Sequence, residues 1–232
     1  MRNDDIQLVR KIPLFSTLSD EHFDDLLAMA YLQSFPPHVQ TIEEGDPAEF
    51  LHILVEGTVE MFGSTVDRET TVFVLRSGST FNLSAVLEDS NYLLSARTLE
   101  KSRILMVPGT HLRQVMRVSP GFAHTMATEL AKRYRVLVRA FKEERLRTGV
   151  ERLANYLLCA NEQAMKSGHI ELSENKRKLA ALLGMTPEYL SRAFIKLKKC
   201  GVEVSGNKIQ LKNLDALRQV AKPNPLLDRR KI

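Results

Sequence analysis

Two short amphipathic segments with a glycine between them limit most strongly how this chain can fold. They lie in Asn175–Val202, which reads NKRKLAALLGMTPEYLSRAFIKLKKCGV. Leu179, Ala180 and Leu183 form an apolar stripe typical of one face of a helix. Gly184 can end that helix, because glycine adopts a positive φ at low cost. The pattern therefore predicts a first helix that ends in a tight turn.

The signals for a second helix follow directly. Thr186 is a residue type that caps helices by accepting a backbone N–H, and Pro187 suits the first helical position because its missing N–H costs nothing there. Leu190, Phe194 and Leu197 recur at helical spacing and predict the inward stripe. Two helices joined by a tight turn are the layout of a helix-turn-helix.

The opposite face of the second helix is polar, with Glu188, Ser191, Arg192 and Lys199. Arginine can donate two hydrogen bonds to guanine, glutamate can accept from cytosine, and serine can do either. An ordinary helical hairpin with a solvated face is the alternative interpretation. The cap, the turn and the polar residues agree with one another, and together they favour a helix that enters the DNA major groove.

The residues after this segment predict a wing. Val202–Val204 and Ile209–Leu211 alternate between apolar and polar, and Ser205–Lys208 separates them, as in a β-hairpin. Lys208 would stand at the hairpin tip, where it can meet a DNA phosphate. Apolar residues within 214–220 predict a short closing helix. A helix-turn-helix followed by such a hairpin is a winged helix.

Charge is divided unequally along the 232 residues. Residues 1–116 hold 9 Lys and Arg against 17 Asp and Glu, a net charge of −8, whereas residues 117–232 hold 24 against 11, a net charge of +13. This division indicates that the second half alone meets a polyanion. The chain shows no secretory leader and no membrane-spanning run, so we expect a cytoplasmic protein with no membrane partner.

The chain before the helix-turn-helix changes its periodicity twice. Residues 5–34 are predicted to be helical, with Ser19 as a helix cap. Short apolar runs separated by glycine turns from Val39 to Val107 predict an antiparallel barrel or jelly roll. A long helix is predicted at 119–147, and another at Val150–Met165.

The long helix carries an apolar seam. Its members alternate at spacings of four and three residues from Ala123 onward, as in a coiled coil. They include Ala127, Leu130, Tyr134, Leu137 and Phe141. A single helix packed on its own barrel is the alternative, and the strict alternation favours a homodimer.

The order of barrel, long helix and winged helix resembles the family of the cyclic AMP receptor protein and the fumarate–nitrate reduction regulator. The string GDPAEFLHILVEGTVEMF is similar to the effector-barrel signature of that family, and GMTPEYLSRAF is similar to its recognition helix. The resemblance implies an α+β protein with three parts. These are a cyclic-nucleotide-binding-like jelly roll (1–117), a dimerisation helix (118–147) and a winged helix-turn-helix (148–232).

The same resemblance implies a function. A bacterial transcription regulator that binds double-stranded DNA as a homodimer and contacts RNA polymerase is expected. Its Glu-x-x-Ser-Arg motif implies a TTGA-type half-site within an inverted repeat. The stretch LSARTLEKSRILMVP is similar to the branch that responds to nitric oxide in denitrification.

The cyclic-nucleotide cassette of the family is altered in this chain. The cassette begins with Phe-x-Gly-Glu and ends in Arg-Ser-Ala. When it is aligned without gaps from Phe81 to Ser95, Leu83 stands at the glycine position, Ser84 at the glutamate position and Leu94 at the arginine position. A buried phosphate would have no cationic partner, which is costly. Cyclic AMP is therefore not expected. An iron–sulfur cluster is not expected either, because no cysteine precedes Cys159.

Haem is a possible effector group, mainly because of the resemblance to the nitric-oxide-responsive branch, and no binding motif indicates it. The candidate ligands are His22, His38, His52, His111, His124 and Met126. A regulator that binds a cyclic nucleotide through other contacts, and an interaction module whose helix pair docks protein, are the remaining alternatives. The sequence has none of the common catalytic motifs and no metal-ligand spacing, so neither catalytic nor metal-binding residues are predicted.

Overall fold

The short apolar runs of the first half form strands in the computed structural model, which describes residues 1–66, 68–165, 167–172 and 176–228. The strands are β1 (Tyr31–Phe35), β2 (Gln40–Ile42), β3 (Phe50–Glu56), β4 (Thr58–Thr65), β5 (Arg68–Arg76), β6 (Thr80–Phe81), β7 (Ser95–Thr98) and β8 (Ser102–Pro108). They make two four-stranded antiparallel sheets, with the orders β1-β8-β3-β6 and β2-β7-β4-β5. The predicted α+β fold with an antiparallel barrel is confirmed.

The core of the barrel is organised around β3. Its side chains from Leu51 to Val55, including His52, are all buried, so the strand is covered on both faces and does not alternate between core and solvent. Helices also contribute to this core. They are α1 (Asn3–Arg10), α2 (Asp20–Ala28), α3 (Leu83–Glu88) and α4 (Gly109–Val118). Ser19 caps α2 as predicted, by accepting from the backbone N–H of His22.

The prediction of helix through residues 5–34 is wrong at its end. β1 begins at Tyr31 and pairs in register with β8, from Tyr31 opposite Met106 to Phe35 opposite Ser102. A neighbouring strand far away in sequence therefore overrides the local pattern. A short helix, α3, also interrupts the region that was predicted to be strands.

The long helix α5 (Pro120–Leu146) has two different environments along its length. Phe122 and Met126 are fully buried in the barrel core. The chain divides within α5 into two compact units, Met1–Arg133 and Tyr134–Ile232, which we call the barrel unit and the winged-helix unit. Thr148 then caps the next helix through a reciprocal pair of hydrogen bonds with Glu151.

The described part of the winged-helix unit contains four further helices and a small sheet. They are α6 (Gly149–Gln163), β9 (His169–Glu171), α7 (Lys176–Leu182), α8 (Pro187–Lys198), β10 (Val202–Ser205), β11 (Lys208–Leu211) and α9 (Leu214–Ala221). The sheet order is β10-β11-β9, so the predicted hairpin gains a third strand that the sequence pattern did not indicate. Leu153, Leu157, Leu190 and Leu217 lie in one buried core.

Candidate nucleic-acid interface

The turn between α7 and α8 has the geometry that the sequence predicts. Gly184 has a φ of +61°, in the left-handed region that favours glycine. The side chain of Thr186 accepts a hydrogen bond from the backbone N–H of Tyr189 at 3.2 Å, and Pro187 is the first residue of α8. Asn175, where the first helix was predicted to begin, lies outside the described residues.

The two faces of α8 differ as expected. Leu190, Ala193, Phe194 and Leu197 are buried in the core of the unit. The residues predicted to contact DNA here are all exposed, namely Thr186, Glu188, Ser191, Arg192 and Lys199. Thr186 directly precedes α8 and Lys199 directly follows it. The sequence therefore folds so that α8 presents a polar surface while its other side is held by the core.

The polar side chains near the start of α8 are able to accept hydrogen bonds from base edges. The pKa of Glu188 is lowered by hydrogen bonds with its own backbone N–H and with Thr186. The positive charges of Arg192 and Arg177 lower it further. Glu188 is thus an ionised carboxylate that only accepts hydrogen bonds. The Ser191 hydroxyl donates to the Pro187 carbonyl at 3.0 Å, which leaves its lone pairs able to accept.

Two residues that sequence reasoning missed hold this helix pair in place. Arg152 of α6 donates to the carbonyl oxygens of Leu183 and Gly184, at 2.9 and 3.2 Å, and so satisfies the end of α7. Gly149 lies against Tyr189, where an added Cβ would collide with the aromatic ring. Both partners lie more than thirty residues away along the chain, so no local pattern indicates these contacts.

The wing differs slightly from its prediction. Its turn consists of Gly206 and Asn207, and Lys208 is the first residue of β11 instead of part of the loop. Lys208 stands opposite Ser205 and Glu171 in the sheet, and it is exposed. The lysine is therefore held on a strand end next to the tip, from which its flexible side chain can reach a phosphate.

The predicted seam of α5 is only partly engaged with the barrel. Leu130 packs against the barrel core, while Ala127 is exposed. Farther along the helix, Tyr134, Leu137 and Phe141 are 68%, 50% and 59% exposed. The second half of the seam is therefore an apolar stripe with an uncovered surface.

The side chains at the predicted cassette positions are mostly packed into the barrel. Phe81 and Leu83 are buried, Ser84 is exposed, and Leu94 packs against the core. Ser95 is buried and its hydroxyl accepts a hydrogen bond from a backbone N–H at 3.0 Å. Asn82, between β6 and α3, has a positive φ of 63°.

Three of the candidate haem ligands, His52, His111 and Met126, lie against other groups of the protein. His52 is buried and stacks on Phe81, with ring centroids 5.1 Å apart. A ring nitrogen of His111 is 2.8 Å from the carbonyl oxygen of Asp25, and Met126 is in the barrel core. These contacts carry no argument for haem.

No group of three His, Cys, Asp or Glu among the described residues is placed to hold a metal ion. No described helix is long and apolar enough to cross a membrane.

Comparison with known proteins matches both halves of the chain. The cyclic nucleotide-binding domain model matches residues 32–119, and the Crp-like helix-turn-helix domain model matches residues 151–220. The cyclic AMP receptor protein of Thermus thermophilus is 28% identical over 199 residues, which cover 82% of this chain and 87% of that protein.

Solved structures show the same fold. FixK2 from Bradyrhizobium japonicum superposes with a TM-score of 0.67 at 23% identity, covering 84% of this chain and 98% of that one. The c-di-GMP responsive regulator CLP from Xanthomonas campestris gives a TM-score of 0.70 at 20% identity, covering 83% and 99%. With both domain models in chain order and a relative spanning most of its length, the chain belongs to the cyclic AMP receptor protein and fumarate–nitrate reduction regulator family of DNA-binding transcription regulators, which are not enzymes.

Proposed function

We propose that this regulator is a homodimer that reads an inverted-repeat operator with α8. One observation carries the proposal: Glu188, Ser191 and Arg192 are exposed together on a helix whose opposite face is buried and whose start is capped. A helix held in this way can place its first turns against base edges in the major groove. Lys199 and Lys208 supply charge for the phosphates on either side.

A second copy of the chain is the partner that suits the exposed part of α5. Tyr134, Leu137 and Phe141 recur at spacings of three and four residues, which is the repeat of a two-stranded coiled coil. A two-fold axis through this seam would present two copies of α8. Their separation would match successive major grooves, about 34 Å apart, so the operator is an inverted repeat.

The individual base contacts follow from the chemistry of the side chains. Arg192 would donate two hydrogen bonds to a guanine, and Glu188 would accept from a cytosine N4 amino group. The resemblance to the Glu-x-x-Ser-Arg branch supports a TTGA-type half-site. It also supports RNA polymerase as a partner and the cytoplasm as the location.

Operator selection from random DNA tests the base contacts. Arg192→Ala should cost on the order of 1–3 kcal/mol per half-site and relax the preference at one guanine. Lys208→Ala is the matched control: it also removes an exposed cation, but it should weaken all sequences alike and flatten the dependence of affinity on salt. If Arg192→Ala selects the wild-type motif with unchanged stringency, α8 is not the reading helix.

Sedimentation tests the dimer. Leu137→Asp with Phe141→Asp should give monomers, because four apolar side chains per dimer would each lose roughly 1.5–3 kcal/mol of burial. This raises the dissociation constant at least about a thousandfold. Leu130 is left unchanged since it also packs on the barrel core. Val136→Asp is the control, because Val136 is exposed but lies off the seam. A wild-type monomer at micromolar concentration would contradict the assignment.

We infer that cyclic AMP is not the effector. Leu94 stands where the family cassette has an arginine, and Leu83 fills the space at the glycine position. The names of two relatives refer to cyclic AMP and to c-di-GMP, so likeness to them favours neither ligand for this chain. Calorimetric titration with cyclic AMP should give no heat of binding, and a micromolar constant would restore the nucleotide hypothesis.

A further inference from the structure

An isoleucine lies in the middle of the polar face of α8. Ile195 follows Arg192 by three residues and Ser191 by four, so the three side chains are neighbours on one face of the helix. Ile195 is 62% exposed. The sequence pattern does not single it out, because an apolar residue in a helix is normally assigned to the core.

Ile195 does not pack in the core of the winged-helix unit. Leu190, Phe194 and Leu197 fill the inward stripe of α8, and Ile195 is absent from the side chains described as packing against that core. Exposure of a single apolar residue is common on protein surfaces. The position of Ile195 is informative, because its helical neighbours Ser191 and Arg192 are the residues proposed to contact the bases.

We propose that Ile195 determines specificity by packing on the 5-methyl group of a thymine. This inference rests on the proposed function of α8. The thymine methyl is the apolar group that base pairs present in the major groove. An isoleucine facing another base edge would cover hydrogen-bonding groups that it cannot satisfy, which is unfavourable. Its branched Cβ restricts the rotamers available in a helix, so little side-chain freedom is lost on contact.

The helix geometry indicates which thymine is read. Ile195 lies three residues beyond Arg192, about 4.5 Å along the helix axis at 1.5 Å per residue. Base pairs follow one another every 3.4 Å along each strand. The thymine should therefore lie within about two base pairs of the guanine that Arg192 contacts.

The test removes the methyl group from the DNA and the side chain from the protein in turn. Each thymine of the operator selected by the wild-type protein is replaced in both half-sites by deoxyuridine, which lacks only the 5-methyl group. We expect one position near the guanine where affinity falls about fourfold per half-site, as for one buried methyl group. Ile195→Ala should bind the thymine and deoxyuridine operators equally well, and Ile195→Val should keep part of the difference.

Lys196→Ala provides the matched control on the adjacent exposed position. It should lower affinity for every operator and leave the response to deoxyuridine unchanged. The proposal is overturned if no thymine is sensitive to loss of its methyl group, or if Ile195→Ala keeps the wild-type sensitivity. These results are distinct from failure of the proposed function, in which the wild-type protein would select no operator at all.

Discussion

The two compact units differ in how completely their buried polar side chains are paired. In the winged-helix unit, Arg147 is paired with Asp228 through contacts of 2.5 and 2.9 Å, and buried Asn161 accepts from the Gly168 N–H at 2.9 Å. Among the described residues, the buried side-chain atoms without a hydrogen-bond partner all belong to the barrel unit. They are His52 Nδ1, Thr80 Oγ1 and Asn82 Nδ2.

The three unpaired atoms of the barrel are adjacent in the fold. His52 stands opposite Phe81 in the β3–β6 pair, Thr80 precedes Phe81, and Asn82 directly precedes α3. This is the segment that is predicted to correspond to the family cassette. A buried polar group without a partner costs about 1–3 kcal/mol, so the barrel carries a local penalty that the described part of the winged-helix unit avoids. We therefore expect removal of an unpaired buried group to stabilise the protein and removal of a paired one to destabilise it.

The largest effect is expected at Arg147. Its side chain is 6% exposed and pairs with Asp228 and with Glu143 at 3.4 Å. Arg147→Met should lower the free energy of unfolding by about 3–5 kcal/mol, because the carboxylates lose their buried partner. Urea unfolding at fixed protein concentration measures this.

A second variant tests whether pairing is the cause. Arg147→Met with Asp228→Asn removes the charge that was left behind, and it should recover part of the lost stability. Equal stability of the single and double variants would show that Arg147 acts through packing of its apolar stem instead. The contrast between the units would then be weaker.

An effect of intermediate size is expected on acidification. Burial lowers the pKa of His52 from 6.5 to about 4, and the backbone of Phe50 opposes this shift only in part. The unfolded chain therefore takes up the proton first as the pH falls. Stability of the barrel is complete above pH 6.5 and decreases by about 3 kcal/mol between pH 6.5 and 4.

His52→Phe, which keeps an aromatic ring against Phe81, should abolish that loss of stability.

The winged-helix unit loses stability in a different pH range, because hydrogen bonds from Lys222 and Thr148 lower the pKa of Glu151 from 4.5 to about 2. The stability that Glu151 contributes is present above pH 4.5 and is lost between pH 4.5 and 2. Hydrogen exchange at pH 5 should thus show less protection of β3, relative to pH 7, and unchanged protection of α6. Equal changes in both elements would contradict the comparison.

The units also differ in how well the sequence predicts them. Gly184, Thr186 and Pro187 act within a few residues of the elements they end or begin, so the sequence sufficed for the helix-turn-helix. Arg152 reaches the carbonyl of Leu183 across 31 residues. β1 was mistaken for helix because its partner, β8, lies about seventy residues away. Contacts of this kind depend on the folded backbone, and neither periodicity nor capping signals contain them.

The smallest effect separates paired from unpaired groups within the barrel. Thr80 and Thr98 are both buried, but the Thr98 hydroxyl donates to the Pro36 carbonyl at 2.7 Å and accepts from the Val39 N–H at 3.0 Å. Thr80→Val removes an unpaired hydroxyl without changing shape, and it should raise the free energy of unfolding by about 1 kcal/mol. Thr98→Val leaves backbone groups unsatisfied and should lower it by about 1–3 kcal/mol. Urea unfolding of both variants at neutral pH compares them directly. If Thr80→Val is as destabilising as Thr98→Val, the Thr80 hydroxyl has a partner in solution, and the barrel does not carry the proposed penalty there.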